Sequence, residues 1–155
     1  MDHASAIICW NNKILLFLRD NKSGIPHPNC WQIPGGGIEK GEIPLEAVKR
    51  ELEEEASYVP KVLEFLGKVP KTSEKGEKYV YYSFVDDDEA KKFKIGQMEG
   101  QDVAFFTLEE ITKIKTTPGI DQYLKKYPKK LEEALKKKSF EGFILFQDKQ
   151  KPRRN

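Results

Sequence analysis

Residues 36–55 read GGIEKGEIPLEAVKRELEEE, and within positions 39–55 seven glutamates (Glu39, Glu42, Glu46, Glu51, Glu53, Glu54, Glu55) face only Lys40, Lys49 and Arg50. Pro44 suits the first turn of a helix, where its missing N–H would have had no partner. From there Leu45, Val48, Leu52 and Ala56 recur at helical spacing and form one apolar stripe. Glu51, Glu54 and Glu55 stand at i, i+3 and i+4 and share a second face beside that stripe, whereas Glu53 points between the stripe and solvent. Carboxylates stacked this way repel by roughly a few tenths of a kcal/mol per pair. A hard divalent cation relieves that repulsion, and Mg²⁺ accepts carboxylates together with waters and phosphates. Arg50 lies four residues from both Glu46 and Glu54 and is placed to pair with either, fixing the rotamer of a ligand. The alternative is a surface helix whose charges are merely solvated.

The preceding segment weighs against that alternative. Cys30-Trp31-Gln32-Ile33 is an apolar run, and Pro34-Gly35-Gly36-Gly37 reads as a turn whose glycines bring bare backbone close to a ligand. The spacing Gly36-x5-Glu42-x7-Arg50-Glu51-Leu52-x-Glu54-Glu55-x-Ser57-Tyr58 resembles the signature of the Nudix hydrolase family, G-x5-E-x7-R-E-U-x-E-E-x-G-U with U apolar. Every charged position matches. Ser57 departs, standing where the family has a glycine that ends the helix in a left-handed conformation. Serine there should cost on the order of 1 kcal/mol locally.

The resemblance implies an α/β fold, the Nudix α/β/α sandwich with a mixed central β-sheet, over about residues 3–137. It also implies hydrolysis of a nucleoside diphosphate linked to another moiety, with Mg²⁺ or Mn²⁺ as cofactor. By position, Glu51, Glu54 and Glu55 would bind the metal with the carbonyl of Gly35. Glu54 or Glu51 would be the general base, Arg50 would orient a ligand carboxylate, and Glu42 would stand behind the ligands or reach the metal through water. Glu99-Gly100-Gln101 resembles the segment of MutT-like enzymes that supplies a further glutamate from a loop; the alternative is a plain loop charge. Arg19, at the end of a strand, matches a phosphate-contacting arginine of MutT-like enzymes, or is a surface charge. Gly36 and Gly37 are candidate substrate contacts. Phe17, Trp31, Tyr81 and Tyr82 are either a stacking face for a base or core. His27 lies in a Pro-His-Pro loop near the expected mouth of the site, and His3 has no assignment.

Outside the signature, the proline of ADP-ribose hydrolases and the tyrosine of dinucleoside polyphosphate hydrolases are not at their positions, Pro70 falling short and Tyr79 too far along. Elimination leaves a MutT-like nucleoside triphosphate pyrophosphohydrolase. A catalytically idle nucleotide-binding or regulatory module of the same fold is the alternative, one that degenerate acidic positions would favour, and none is degenerate.

A chain of 155 residues with 38% hydrophobic and 34% charged residues fits one soluble domain. Its net charge of +2 gives no argument for a nucleic-acid or membrane surface. No apolar run approaches the roughly 18 residues that span a bilayer, and no signal-peptide pattern opens the chain. Cys9 and Cys30 read as reduced core thiols, so the expected compartment is the cytoplasm and the expected partner a small nucleotide. Strands are expected at Ala4–Trp10 and Lys13–Arg19 around an Asn11-Asn12 hairpin turn, then at Trp31, Val62–Val69, Tyr79–Val85 and Val103–Phe106. Thr107 and Glu110 form a capping-box pattern, and Gly119–Lys138 reads as helical with a break at Pro128. We divide the chain into a hydrolase domain, 1–138, and a tail, 139–155. In the tail, the apolar run Phe140–Phe146 precedes a basic segment, Lys149–Arg154. That run would either cover the domain's own core or dock a partner, including a second copy of the chain.

Overall fold

A computed structural model of the chain describes residues 1–71, 75–97 and 99–143. The first two strands, β1 (His3–Trp10) and β2 (Lys13–Leu18), form the expected hairpin. Its turn residues Asn11 and Asn12 adopt φ of 51° and 60°, the left-handed pair that a two-residue hairpin turn requires. The hairpin strands pair only next to the turn, at Cys9–Ile14 and Trp10–Lys13. Beyond that they splay, and the segment of β3 (Trp31–Gln32) and β4 (Gly35–Gly37) enters between them. β3 pairs antiparallel with Phe17 and Leu18, β4 with His3, Ala4 and Ser5, and the Ala6 amide donates to the Pro34 carbonyl at 3.0 Å. The glycine segment expected as a turn is therefore a strand inside the sheet. Glycine disfavours strands intrinsically, and long-range pairing with β1 overrides that preference.

Helix α1 (Pro44–Ala56) follows with Pro44 at its first position, as expected. β5 (Glu64–Pro70) and β6 (Glu77–Phe84) pair antiparallel, and β6 runs parallel to β1 over seven pairs, from His3–Lys78 to Cys9–Phe84. β7 (Asp102–Thr107) closes the other side by pairing with β2. One parallel pairing among antiparallel ones makes the sheet mixed. A short helix unforeseen in the sequence, α2 (Asp87–Ala90), is capped by Asp86, whose carboxylate accepts from the Glu89 amide at 2.9 Å. Thr107 and Glu110 form the expected reciprocal cap on α3 (Leu108–Ile111). The expected Gly119–Lys138 helix arrives in pieces: α4 (Pro118–Ile120), a wide π-type turn over Asp121–Lys125, and α5 (Pro128–Lys137), which Pro128 opens.

Strand alternation divides the core into two layers. Ala4, Ala6, Ile8 and Leu15 face the buried side of α1 at Ala47, Val48, Leu52 and Ala56. Ile7, Cys9, Ile14, Leu16 and Val80 face Tyr123, Leu131 and Leu135 on the opposite layer. Helices on both faces of a mixed sheet give the expected α/β/α sandwich. Phe140 is buried on the second layer, with its ring 4.8 Å from Tyr82 and 5.4 Å from Phe84, and Phe143 packs edge-on against it at 5.3 Å. The tail thus begins by covering the domain's own core. Its remainder, residues 144–155 with the basic segment, lies outside the described residues. Cys9 and Cys30 are both buried free thiols. Among the described residues no helix is long and apolar enough to cross a membrane.

Candidate active site

Helix α1 turns two of its glutamates inward. Glu51 and Glu55, one turn apart, are 8% and 3% exposed, whereas Glu53 and Glu54 lie in solvent. Glycine makes the burial feasible. A Cβ on Gly36 would come within 2.5 Å of Glu51 Oε2, so any side chain there would displace the carboxylate. The Gly35 N–H donates to Glu55 Oε1 at 3.0 Å. The segment before β7 brings a third carboxylate: one oxygen each from Glu51, Glu55 and Glu99 lie within 4.8 Å of one another. Glu54 does not join that group and stays at its rim, half exposed and 3.4 Å from Arg50.

Electrostatics follow from this placement. Burial raises the proton affinity of Glu55 well above the usual carboxylate range, with the Glu51 charge adding to it and the Gly35 amide opposing it. Burial also raises Glu51, offset in part by Arg50. Two desolvated carboxylates with a third beside them need protons or a cation, and an all-oxygen donor set of this kind fits a hard divalent ion such as Mg²⁺ or Mn²⁺.

Arg50 ties the strand, the loop and the helix together. Its Nε and Nη2 donate to the two oxygens of Glu42 at 2.8 and 3.1 Å, Nη2 also to the Gly37 carbonyl at 3.0 Å, and Nη1 to Glu51 Oε2 at 3.0 Å. Glu46, an expected partner, is engaged elsewhere: its carboxylate accepts from the Ile43 amide at 3.1 Å and caps α1. Hydrogen bonds from Arg50 and from the Glu39 amide hold the Glu42 carboxyl below its ordinary range. Ser57 takes φ 65° and ψ 9°, the left-handed helix end for which glycine is suited.

Beyond β4 a recess of about 320 Å³, with an inner extension of about 120 Å³ reaching Gly35 and Gly36, is bordered by His3, Arg19, Gln32, Lys78, Thr117 and Gly119. Arg19 thus faces the cleft, its Nε donating to the Pro26 carbonyl at 2.9 Å, and His27 stands at the outer wall. Trp31, a candidate substrate contact, does not reach this cleft. Its ring packs edge-on against Phe106 at 4.7 Å, because strand alternation sends Gln32, not Trp31, toward the opening. Phe17 and Tyr81 are core residues, and Tyr82 packs on Phe84 and Phe140. Lys78, Gln32, Thr117 and Gly119 escaped the sequence reading, since the parallel β1–β6 register and the Pro118 turn that assemble them are long-range. A roomier recess of about 530 Å³, bordered by Trp10, Asp86 and Lys136, shares no residue with the carboxylate group.

The NUDIX domain family model matches residues 1–127. An ADP-ribose pyrophosphatase of Methanocaldococcus jannaschii is 36% identical over 110 residues, covering 70% of this chain and 62% of that protein. An RNA pyrophosphohydrolase of Helicobacter pylori is 34% identical over 92 residues, covering 59% of this chain and 49% of that protein. The chain thus spans less than two thirds of the length of these relatives. Among solved structures, the NUDIX domain of Shewanella oneidensis NrtR, complexed with ADP ribose, superposes with a TM-score of 0.64 at 22% identity, covering 76% of this chain and 79% of that one. The MutT protein of Methanosarcina mazei Go1 superposes with a TM-score of 0.62 at 23% identity, covering 89% and 94%. At such identities the likeness concerns the fold.

Proposed function

The chain belongs to the NUDIX domain family, and on that premise we propose that it is a hydrolase of the phosphoanhydride bond in a nucleoside diphosphate linked to another group. The observation that carries this reading is the convergence of Glu51, Glu55 and Glu99 against a side-chain-free strand. These three carboxylates would hold Mg²⁺ or Mn²⁺, which when bound offsets the charge of the phosphate oxygens. Arg50 locks Glu51 and, through Glu42 and Gly37, the loop that precedes the helix, so the ligand oxygens are set before substrate arrives. Glu54 is the proton acceptor in this reading, being solvated and outside the ligand group. Water's oxygen bonds to one phosphorus, the bridging P–O bond breaks, and the bridging oxygen departs on the other phosphate while Glu54 takes the proton. Arg19 and the recess beyond Gly35 and Gly36 receive the rest of the substrate.

A MutT-like nucleoside triphosphate is the substrate we favour, and ADP-ribose is the competitor that the Methanocaldococcus relative suggests. Free thiols at Cys9 and Cys30 support a reducing, cytoplasmic setting. The test is a panel of nucleoside triphosphates, ADP-ribose and 5′-triphosphorylated RNA with Mg²⁺, products identified by mass, for wild type, Glu54→Gln and Glu99→Gln. Wild type should release a mononucleotide, Glu54→Gln should lose at least ~10²-fold in kcat and Glu99→Gln at least about tenfold. A wild type that binds nucleotide without product is the idle module instead.

A further inference from the structure

The recess next to the glycine strand carries one sign of charge. Arg19, Lys71 and Lys78 border it together with His3 and His27, and among the described residues no carboxylate borders it. Lys78 is the inward member. It is the second residue of β6, paired in register with His3, and its ammonium lies 5.2 Å from the centre of the Tyr123 ring. Gly119 makes room for it: a Cβ there would come 2.9 Å from Nζ. Among the described residues Lys78 makes no hydrogen bond or ion pair with an acid. Burial and the neighbouring Lys71 lower its pKa to about 8, so near neutral pH the group remains a cation that no described carboxylate pairs with. Such a site gains most from an anion that arrives with the ligand.

Gly35 and Gly36 border the recess on one side and adjoin Glu55 and Glu51 on the other. A substrate whose scissile anhydride sits at the glutamates therefore projects its remainder toward Lys78. We propose that Lys78 is a specificity-determining residue that takes a phosphate additional to the pair flanking the scissile bond, so that substrates with a triphosphate chain are preferred over ADP-ribose, whose diphosphate ends in a neutral sugar. The proposal rests on the reading of the glutamates as the reaction centre. It extends that reading by assigning the charge at the far end of the substrate to one side chain.

Calorimetric binding separates the two ideas. With Mg²⁺ present, wild type, Lys78→Met and Lys78→Arg are titrated with an α,β-methylene nucleoside triphosphate and with ADP-ribose, and thermal melts check that each variant is folded. Lys78→Met should raise Kd for the triphosphate at least tenfold and for ADP-ribose less than twofold, and Lys78→Arg should restore triphosphate binding to within threefold. Lys78→Gln, which keeps a polar side chain, stands in if the methionine variant does not fold. The inference is overturned if Lys78→Met (or Lys78→Gln) binds the triphosphate within twofold of wild type, if both ligands weaken equally, or if wild type does not prefer the triphosphate. A wild type that binds as expected and cleaves nothing overturns the hydrolase reading and leaves Lys78 supported. Parallel titrations with 5′-triphosphorylated and 5′-monophosphorylated RNA of one sequence tell whether the extra phosphate comes from a free nucleotide or an RNA end.

Discussion

Glu55→Gln separates the cost of the carboxylate group from its use. The glutamine keeps an oxygen for the Gly35 amide and nearly the same volume, so the change removes one charge and little else. Within 4.8 Å of each other, two ionised carboxylates repel by at least about 3.5 kcal/mol at an effective dielectric of about 20. In metal-free protein Glu55 escapes part of that repulsion by binding a proton, as its raised pKa implies. With a folded-state pKa above the unfolded one, its stabilising contribution is full below the unfolded pKa and falls as pH rises through the folded one. Near neutral pH in EDTA we therefore expect Glu55→Gln to be the more stable protein by about 1.5 kcal/mol, or about 3–6 °C in Tm for a chain of this size. Mg²⁺ should reverse the order. At a hundred times Kd it stabilises wild type by about 2.7 kcal/mol, or about 5–11 °C, whereas the variant should shift by less than about 2 °C. Melts monitored by circular dichroism, with and without Mg²⁺, read both quantities. A variant that retains the wild-type Mg²⁺ shift, or that melts lower in EDTA, refutes the idea that Glu55 is held strained for a cation.

Arg50→Lys should weaken Mg²⁺ binding about 10–100-fold in a metal titration, because an ammonium cannot bridge Glu42, Gly37 and Glu51 as the guanidinium fork does. Equal affinity would show that Glu51 needs no such positioning. Ser57→Gly should stabilise the fold by about 1 kcal/mol in urea unfolding, by relieving a left-handed serine, without changing Mg²⁺ affinity; a loss of stability would mean that the hydroxyl outweighs the backbone conformation.

The parts legible in the sequence are those set by local rules. Pro44 opens α1, the Leu45-Val48-Leu52 stripe gives its inner face, and Asn11-Asn12 makes the hairpin turn, all within a few residues. The three-glutamate face was legible as a face, but its division was not. Which of Glu51, Glu54 and Glu55 is buried depends on β4 lying against α1, and β4 is a strand only because residues 3–5 pair with it. Arg50 chose Glu42, eight residues away, over Glu46 because the helix start had already claimed Glu46. Glu99 was legible only through the likeness of Glu99-Gly100-Gln101 to a family segment, and Lys78 reaches the site through a chain separation that no local pattern encodes.

The insertion of β3 and β4 between the splayed hairpin strands also sets how the site moves. A wall held by backbone pairing to β1 cannot open without opening the central sheet, so its amides should exchange with solvent only in the slowest class. The part of the reaction centre that α1 and β4 carry, Glu51 and Glu55 against Gly35 and Gly36, is then as rigid as the core. Adaptation to different substrates falls to the opposite wall, where Pro26 and His27 border the cleft from the segment that connects β2 to β3.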